Sequence, residues 1–149
     1  MNVVIRPATK VDIPLLIAIS RLVESPTYIA QTTEFGVEFM LDYSVVFIIE
    51  SDAEPVGFIT YRRDSLISAY VEEIAVHPNA QGKGIAREAF EISLVEMIEK
   101  GCRRFSLHVH PENYPALKLY KKMRFRESGE RVDNFRESGE PRIEMYRRI

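Results

Sequence analysis

A buried strand that breaks at a His-Pro pair and runs through two glycines into a long helix restricts this chain more than any other feature. Tyr70 to Val76 reads as the strand, His77-Pro78-Asn79 ends it, and Gln81-Gly82-Lys83-Gly84 opens a helix predicted from Ile85 to Lys100. Ala86, Phe90, Leu94, Met97 and Ile98 form its apolar stripe, and Gly101 stands where a helix-stopping residue belongs. Glycine lets backbone approach a ligand closely, and the first N–H groups of a helix lack intrahelical partners. Such a junction suits a diphosphate, with Lys83 and Arg87 adding charge. It is not the dinucleotide fingerprint, because Arg87 stands where the third glycine is required, and the P-loop pattern is absent.

The remainder alternates strands and helices. Val3-Val4-Ile5 is a short strand, and Thr9 with Asp12 can cap a helix carrying Ile13, Leu16, Ile17, Ile19 and Val23. Pro14 is tolerable there because it falls in the opening turn. Residues 27–43 are ambiguous, with a short helix expected around Val37–Leu41. Val45–Ile49 and Val56–Tyr61 form a hairpin around Ser51-Asp52-Ala53-Glu54. Phe105, Leu107 and Val109 alternate with Ser106, His108 and His110, as in a half-buried strand. Asn113 can cap a helix bearing Ala116, Leu119, Tyr120 and Met123 on one face. Strands near Phe125–Arg131 and Arg142–Arg148 close the chain. The hexapeptide Phe125-Arg126-Glu127-Ser128-Gly129-Glu130 recurs as Phe135-Arg136-Glu137-Ser138-Gly139-Glu140, too short a period for a solenoid.

Composition narrows the functional classes. The 149 residues carry a net charge of −2, so there is no global basic field for nucleic acid or anionic lipid. No apolar run approaches the roughly 20 residues that span a bilayer, and the N-terminal apolar stretch is too short for a signal peptide. A cytoplasmic protein without nucleic-acid or membrane partners is expected. The single cysteine, Cys102, excludes an intrachain disulfide.

Several segments together resemble one known family. Gln81-x-x-Gly84-x-Ala86 is similar to the Q/R-x-x-G-x-G/A pattern of the GNAT superfamily of N-acetyltransferases, and Glu73–Pro78 to that family's fourth strand. Asn113-Tyr114-Pro115-Ala116-Leu117-Lys118-Leu119-Tyr120 resembles its N-x-x-A-x-x-L-Y segment. Val56-Gly57-Phe58 resembles its third strand, and Ile5-Arg6-Pro7-Ala8 with Asp12 its opening. One position departs: Arg124 precedes Phe125 where the family usually has glycine, which strains the helix end if positive φ is needed there.

The resemblance implies one α/β (α+β) domain over residues 1–149. Its sheet is mixed, mostly antiparallel, of about seven strands, with helices on both faces and a splay between the fourth and fifth strands. It implies acetyl-CoA as co-substrate; no metal is expected from the residues themselves. Ile74, Ala75 and Val76 would offer main-chain hydrogen bonds to pantetheine. Gln81, Gly82, Lys83, Gly84, Ile85, Ala86 and Arg87 would hold the pyrophosphate, and Asn113 would touch the cofactor across the cleft. The acceptor would be an amine, on a small molecule or on a protein or peptide; a homodimer is compatible with the pattern.

Acetyl transfer to an amine needs a base, an oxyanion donor and an acid for the departing thiolate. Main-chain N–H groups near Ile74 or Ala75 are the expected oxyanion donors. Tyr120 is the candidate acid, since a phenol with pKa ≈ 10 stays protonated at pH 7 and the resemblance points its hydroxyl at the cofactor sulfur. For the base, strand alternation puts Glu72 and Glu73 on opposite faces. Glu72, sharing a face with Ile74 and Val76, is preferred over Glu73 and His108; a water relay is the further option. His108-x-His110 has metal-pair spacing, but nothing fixes a third ligand. Cys102, remote from the cleft motifs, is a poor acyl carrier, and Lys118, Lys121, Lys122 and Arg124 read as a solvated face or a lure for the nucleotide 3′-phosphate. The competing function is a non-catalytic acyl-CoA sensor or scaffold. Acceptor choice is expected to reside in residues 24–44, the Arg62–Ser65 turn and the final hairpin.

Overall fold

The computed structural model describes residues 1–28 and 33–149. Seven strands form one sheet: β1 (Val3–Pro7), β2 (Val45–Ser51), β3 (Glu54–Arg63), β4 (Ser68–Val76), β5 (Arg104–Val109), β6 (Arg126–Val132) and β7 (Arg142–Arg148). Their spatial order is β1-β2-β3-β4-β5-β7-β6, and each neighbouring pair is antiparallel except β4–β5. Helices α1 (Ile13–Val23) and α2 (Glu34–Tyr43) pack Leu16, Ile19, Val37 and Met40 against one face, over Ile48, Phe58 and Ala75. Helices α3 (Ile85–Glu99) and α4 (Tyr114–Lys122) cover the other, where Phe90, Met97, Phe105, Leu107 and Met145 are buried. This is the mixed, mostly antiparallel sheet with helices on both faces that the resemblance implied. Among the described residues, no helix is long and apolar enough to cross a membrane.

Local chemistry sets the element ends. Asp12 accepts from the Thr9 N–H at 2.8 Å and from Arg6 at 2.9 Å, which anchors the entry to α1 on β1. Asp52 and Ala53 both take positive φ, 50° and 69°, so the β2–β3 hairpin closes through a two-residue turn whose twist matches the strands. Thr33 caps α2 by accepting from Gly36 N–H at 3.0 Å. The predicted helix at Val37–Leu41 is therefore longer at both ends, while residues 29–32 of the ambiguous segment lie outside the described residues.

The β4–β5 ladder is short. Only Ser68, Ala69 and Tyr70 pair with Arg104, Phe105 and Ser106. Beyond Tyr70 the two strands part, β4 continuing along β3 and β5 along β7, so the anticipated splay is present. Gly57 makes the β3–β4 side tight, because a Cβ there would overlap the Ala75 carbonyl oxygen.

A β-bulge changes the expected facing of the two carboxylates. Val71 pairs with Tyr61 and Glu73 with the adjacent Thr60, so Glu72 is the inserted residue. Val71, Ile74 and Val76 belong to the core under α3, whereas Ala75 packs under α1 and α2 and Glu72 accepts from the Ser44 hydroxyl at the end of α2. Glu72 thus does not share a face with Ile74 and Val76, and Glu72 and Glu73 are not on opposite faces. Simple alternation fails because the extra residue resets the phase.

Both long helices next to the splay end in Schellman turns. After α3, Cys102 N–H bonds Met97 O and Gly101 N–H bonds Ile98 O, both at 3.0 Å, with Gly101 at φ 101°. After α4, Phe125 N–H bonds Tyr120 O at 2.9 Å and Arg124 N–H bonds Lys121 O at 3.0 Å. Arg124 holds the left-handed position with φ 67°. The departure from the family pattern therefore changes the residue and keeps the turn. An L-residue pays about 1–2 kcal/mol in that region, and glycine, which avoids that cost, gives part of it back by losing more backbone entropy on folding. Arg124→Gly should raise stability by about 0.5–1 kcal/mol, read as a higher urea midpoint at unchanged m-value.

Candidate active site

The splay opens a cleft of about 760 Å³ that passes through the sheet between β4 and β5. On the α3–α4 side its wall is the glycine turn. Gly82 and Gly84 have φ 78° and 82°, and a Cβ on either would meet nothing within 4 Å, so both face open space. Glu88 N–H is bonded to Gly84 O at 3.1 Å, leaving the N–H groups of Ile85, Ala86 and Arg87 as the free start of α3. The donors match a diphosphate.

The residues assigned to that half are placed differently from one another, with Gln81 and Arg87 among those lining the cleft. The Gln81 side chain donates to Val76 O at 2.9 Å, so it ties the turn to the end of β4. Lys83 is exposed outside the cleft wall, and Arg87 is exposed with Glu91 3.3 Å away. Asn113 lines the cleft while its Oδ1 caps α4 from Ala116 N–H at 3.3 Å. Lys118 and Lys122 line it too; Lys121 and Arg124 do not.

Along β4, His77 N–H bonds Val56 O on β3 at 2.7 Å. Alternation then turns the main-chain groups of Val76 and Ile74 toward the cleft and those of Ala75 toward β3. The main chain of Ile74 and Val76 thus faces the cleft, while that of Ala75, expected to serve pantetheine and the oxyanion as well, faces β3.

Tyr120 sits where the two halves meet. Its ring packs edge-on against Phe90 at 6.0 Å and beside Phe125 at 6.1 Å, and it lines the cleft. Burial pushes its hydroxyl pKa well up, so it is protonated across the physiological range.

The opposite mouth is framed by the α1 end, β4, β5 and the β6–β7 loop. Glu73 is only 4% exposed, and its charge, after burial, pushes the pKa of the buried Tyr28 hydroxyl up. His108 Nδ1 lies 2.8 Å from the Tyr70 hydroxyl, and its ring is 5.5 Å from that of Phe135. Burial lowers the His108 pKa, with Arg136, Arg142 and Arg62 adding to the effect against Glu144. Tyr70, held up at about 12 chiefly by burial, carries Arg62 over its ring at 4.8 Å. Tyr28, Tyr70, Phe135, Arg136 and Arg142 are the residues sequence reading did not single out. Of the segments expected to face the acceptor, the final hairpin brings Phe135, Arg136 and Arg142 to the cleft, whereas the Arg62–Ser65 turn does not line it.

His110 is a loop clasp: Nδ1 accepts from Glu112 N–H at 3.0 Å and Nε2 donates to Glu140 at 3.2 Å. His77 Nδ1 accepts from Asn79 N–H, and no cluster of three metal-ligating side chains occurs among the described residues. Cys102 is buried away from the cleft.

The acetyltransferase (GNAT) family model matches residues 17–125. The chain belongs to the GNAT family. Among curated proteins it is 30% identical over 106 residues to a Bacillus subtilis protein named a putative [ribosomal protein bS18]-alanine N-acetyltransferase, covering 70% of this chain and 68% of that one. It is 31% identical over 135 residues to the N-alpha-acetyltransferase of Saccharolobus solfataricus, covering 82% and 79%. Two solved structures superpose closely. Ard1 from Thermoplasma volcanium gives a TM-score of 0.86 at 19% identity over 100% and 99% of the two chains. The Escherichia coli ribosomal-protein-S18-alanine N-acetyltransferase gives 0.84 at 21% over 99% and 94%.

This GNAT chain is an N-acetyltransferase that draws on acetyl-CoA. The open glycine turn, the free N–H groups of α3 and the cleft-facing main chain of β4 fit that co-substrate. Gly84→Asp should weaken acetyl-CoA binding by about 10–100-fold, since it sets a carboxylate against the diphosphate and forfeits one or two charge-assisted bonds. Calorimetry on the folded variant is the measurement; an unchanged Kd would remove the diphosphate from this turn.

Proposed function

We propose that this chain acetylates the α-amino group at the N-terminus of a protein or peptide, in the cytoplasm, by direct attack in a ternary complex. The observation that carries the reading is the second mouth of the cleft. On that side Tyr28, His108, Phe135 and Arg136 line the cleft, and an extended chain entering there would deliver its terminus while the rest stays outside. The naming of relatives matched over most of both chains for protein N-terminal amines supports the same acceptor.

In this reading acetyl-CoA supplies the acetyl thioester, and the protein's groups do the rest. Glu72 and Glu73 attract the incoming ammonium. His108 is neutral at pH 7 because burial lowers its pKa; in the tautomer whose Nδ1–H donates to the Tyr70 oxygen, Nε2 carries the lone pair that removes the ammonium proton. The preference for Glu72 as base rested on a shared face that the bulge abolishes, and its carboxylate is engaged by Ser44. The Ile74 N–H faces the cleft as oxyanion donor, and the Tyr120 hydroxyl donates toward the leaving sulfur.

Product mass spectrometry with acetyl-CoA and a mixed library of N-terminal peptides, free lysine, polyamines and amino acids tests the acceptor. Peptides acetylated at the α-amine are expected; products confined to small amines would overturn the reading. Tyr120→Phe keeps the ring packing and should cut single-turnover rate about 10²–10⁴-fold with acetyl-CoA affinity nearly intact. For the base, the lowered His108 pKa has a definite sign. The base form persists below pH 6.5, so wild-type kcat/KM should lose its His108-dependent limb only as pH falls beneath that value. His108→Ala should abolish the limb, while Glu72→Gln and Glu73→Gln should raise KM and keep it. Loss of the limb in a glutamine variant alone would transfer the role to that carboxylate.

A further inference from the structure

Arg142 is 3% exposed, lines the acceptor mouth, and has no carboxylate within 4.0 Å among the described residues. Four other arginines are ion-paired: Arg6 with Asp12 and Glu50, Arg62 with Asp64, Arg87 with Glu91, Arg131 with Asp133. Arg142 instead donates one N–H to the carbonyl of its neighbour Pro141 at 2.8 Å and lies over the Phe135 ring at 5.1 Å. A guanidinium has five N–H donors, so most of this one's are left for another partner. Of the two acids nearest in sequence, Glu140 and Glu144, neither pairs with it, and Glu140 is bonded to His110.

A second guanidinium reaches the same ring. Arg136 lies 4.8 Å from the Phe135 centroid and also lines the cleft. Its backbone is left-handed, φ 50°, as is that of Glu137 at 60°, a conformation that costs energy for residues other than glycine. Two like charges beside one aromatic ring, one of them buried, repel each other, and burial with Arg136 nearby lowers the Arg142 pKa. An anion between them would reverse both penalties, and the planar forks of arginine suit a carboxylate. The mouth is also polarised: Glu72 and Glu73 line it from β4, Arg136 and Arg142 from the β6–β7 side. Such a mouth takes an acceptor with its ammonium toward β4 and a negative charge toward the loop.

Resting on the N-terminal reading above, we propose that Arg136 and Arg142 form a subsite for an acidic side chain within the first few residues of the acceptor peptide. The subsite selects Asp or Glu close behind the α-amine. Neutral isosteres lose the charge-assisted bonds, and basic residues meet repulsion as well.

The test is a set of peptides differing only by Asp/Asn or Glu/Gln at positions two and three, with kcat/KM measured for each. Wild type is expected to favour the acid over its amide by about 10-fold or more. Arg136→Gln should bring that ratio to near one, and Arg136→Glu should invert it in favour of lysine at the same position. Arg142→Met should act like Arg136→Gln; because Arg142 is buried, the exposed Arg136 variants carry the decision if it does not fold. An acid-to-amide ratio near one in wild type, or a ratio unchanged in the Arg136 variants, would overturn the subsite while leaving N-terminal acetylation in place. Free acidic amino acids acetylated with no peptide modified would overturn the peptide reading and the subsite with it.

Discussion

Everything functional in this protein follows from the early end of one parallel ladder. β4 and β5 share three residue pairs and then part. Beyond Tyr70, the cleft-side N–H and C=O groups of β4 lack a neighbouring strand, and buried backbone groups need partners. Val76 O is met by the Gln81 side chain, which also fixes the glycine turn beside the gap. The remainder of that edge is available to a ligand. On the far side of β4 the fit is tight, because Gly57 admits the Ala75 carbonyl where a side chain would collide. One edge is clamped and the other open, so the pairing itself leaves the gap in the sheet.

Where the sequence was informative, the signal was local. Glycines at 82, 84 and 101 mark turns because only positive φ closes them, and Asn113 followed by Pro115 marks a helix start for equally short-range reasons. These residues sit where they were expected. The misreadings arise from long-range register. Nothing around Glu72 announces a bulge; it exists because Thr60 and Tyr61 on β3 pair with Glu73 and Val71. Arg142 reads as an ordinary strand residue until β7 is placed beside β5. The repeated hexapeptide makes the point without any change of composition. Phe125 closes the α4 cap and is buried against Phe90, with Arg126 starting β6, whereas Phe135 and Arg136 form a 3₁₀ turn at the acceptor mouth. Identical residues have different jobs because the preceding chain delivers them to different places.

Arg124 connects stability to the site. The Schellman turn it completes brings Phe125 N–H to the Tyr120 carbonyl and Phe125 itself against the Tyr120 ring. The accompanying apolar contact between the third-last helical residue and the one after the left-handed position is characteristic of that motif. Here the third-last residue is the candidate acid. The turn therefore fixes the backbone from which Tyr120 projects, and the cost of a left-handed arginine is tolerated because the two hydrogen bonds and the buried Phe125 outweigh it.

The electrostatics of the cleft favour neutral groups at its centre and charges at its rim. Tyr70 and Tyr120 are both pushed upward chiefly by burial, and His108 downward by the same cause. All three are uncharged at pH 7. A phenol raised this far is a weak acid in water, which would argue against proton donation to a thiolate of ordinary pKa. The leaving sulfur, however, occupies the same desolvated place, and burial raises a thiol's pKa for the same reason it raises a phenol's. Donor and acceptor shift together, so transfer stays near balance, and the phenol need not ionise until negative charge arrives beside it. A carboxylic acid or ammonium at position 120 would be charged beforehand and would have to be desolvated in the resting enzyme. Tyrosine avoids that cost, and the carboxylates and guanidiniums are left at the mouth, where they can sort acceptors by charge before the amine reaches the dry part of the cleft.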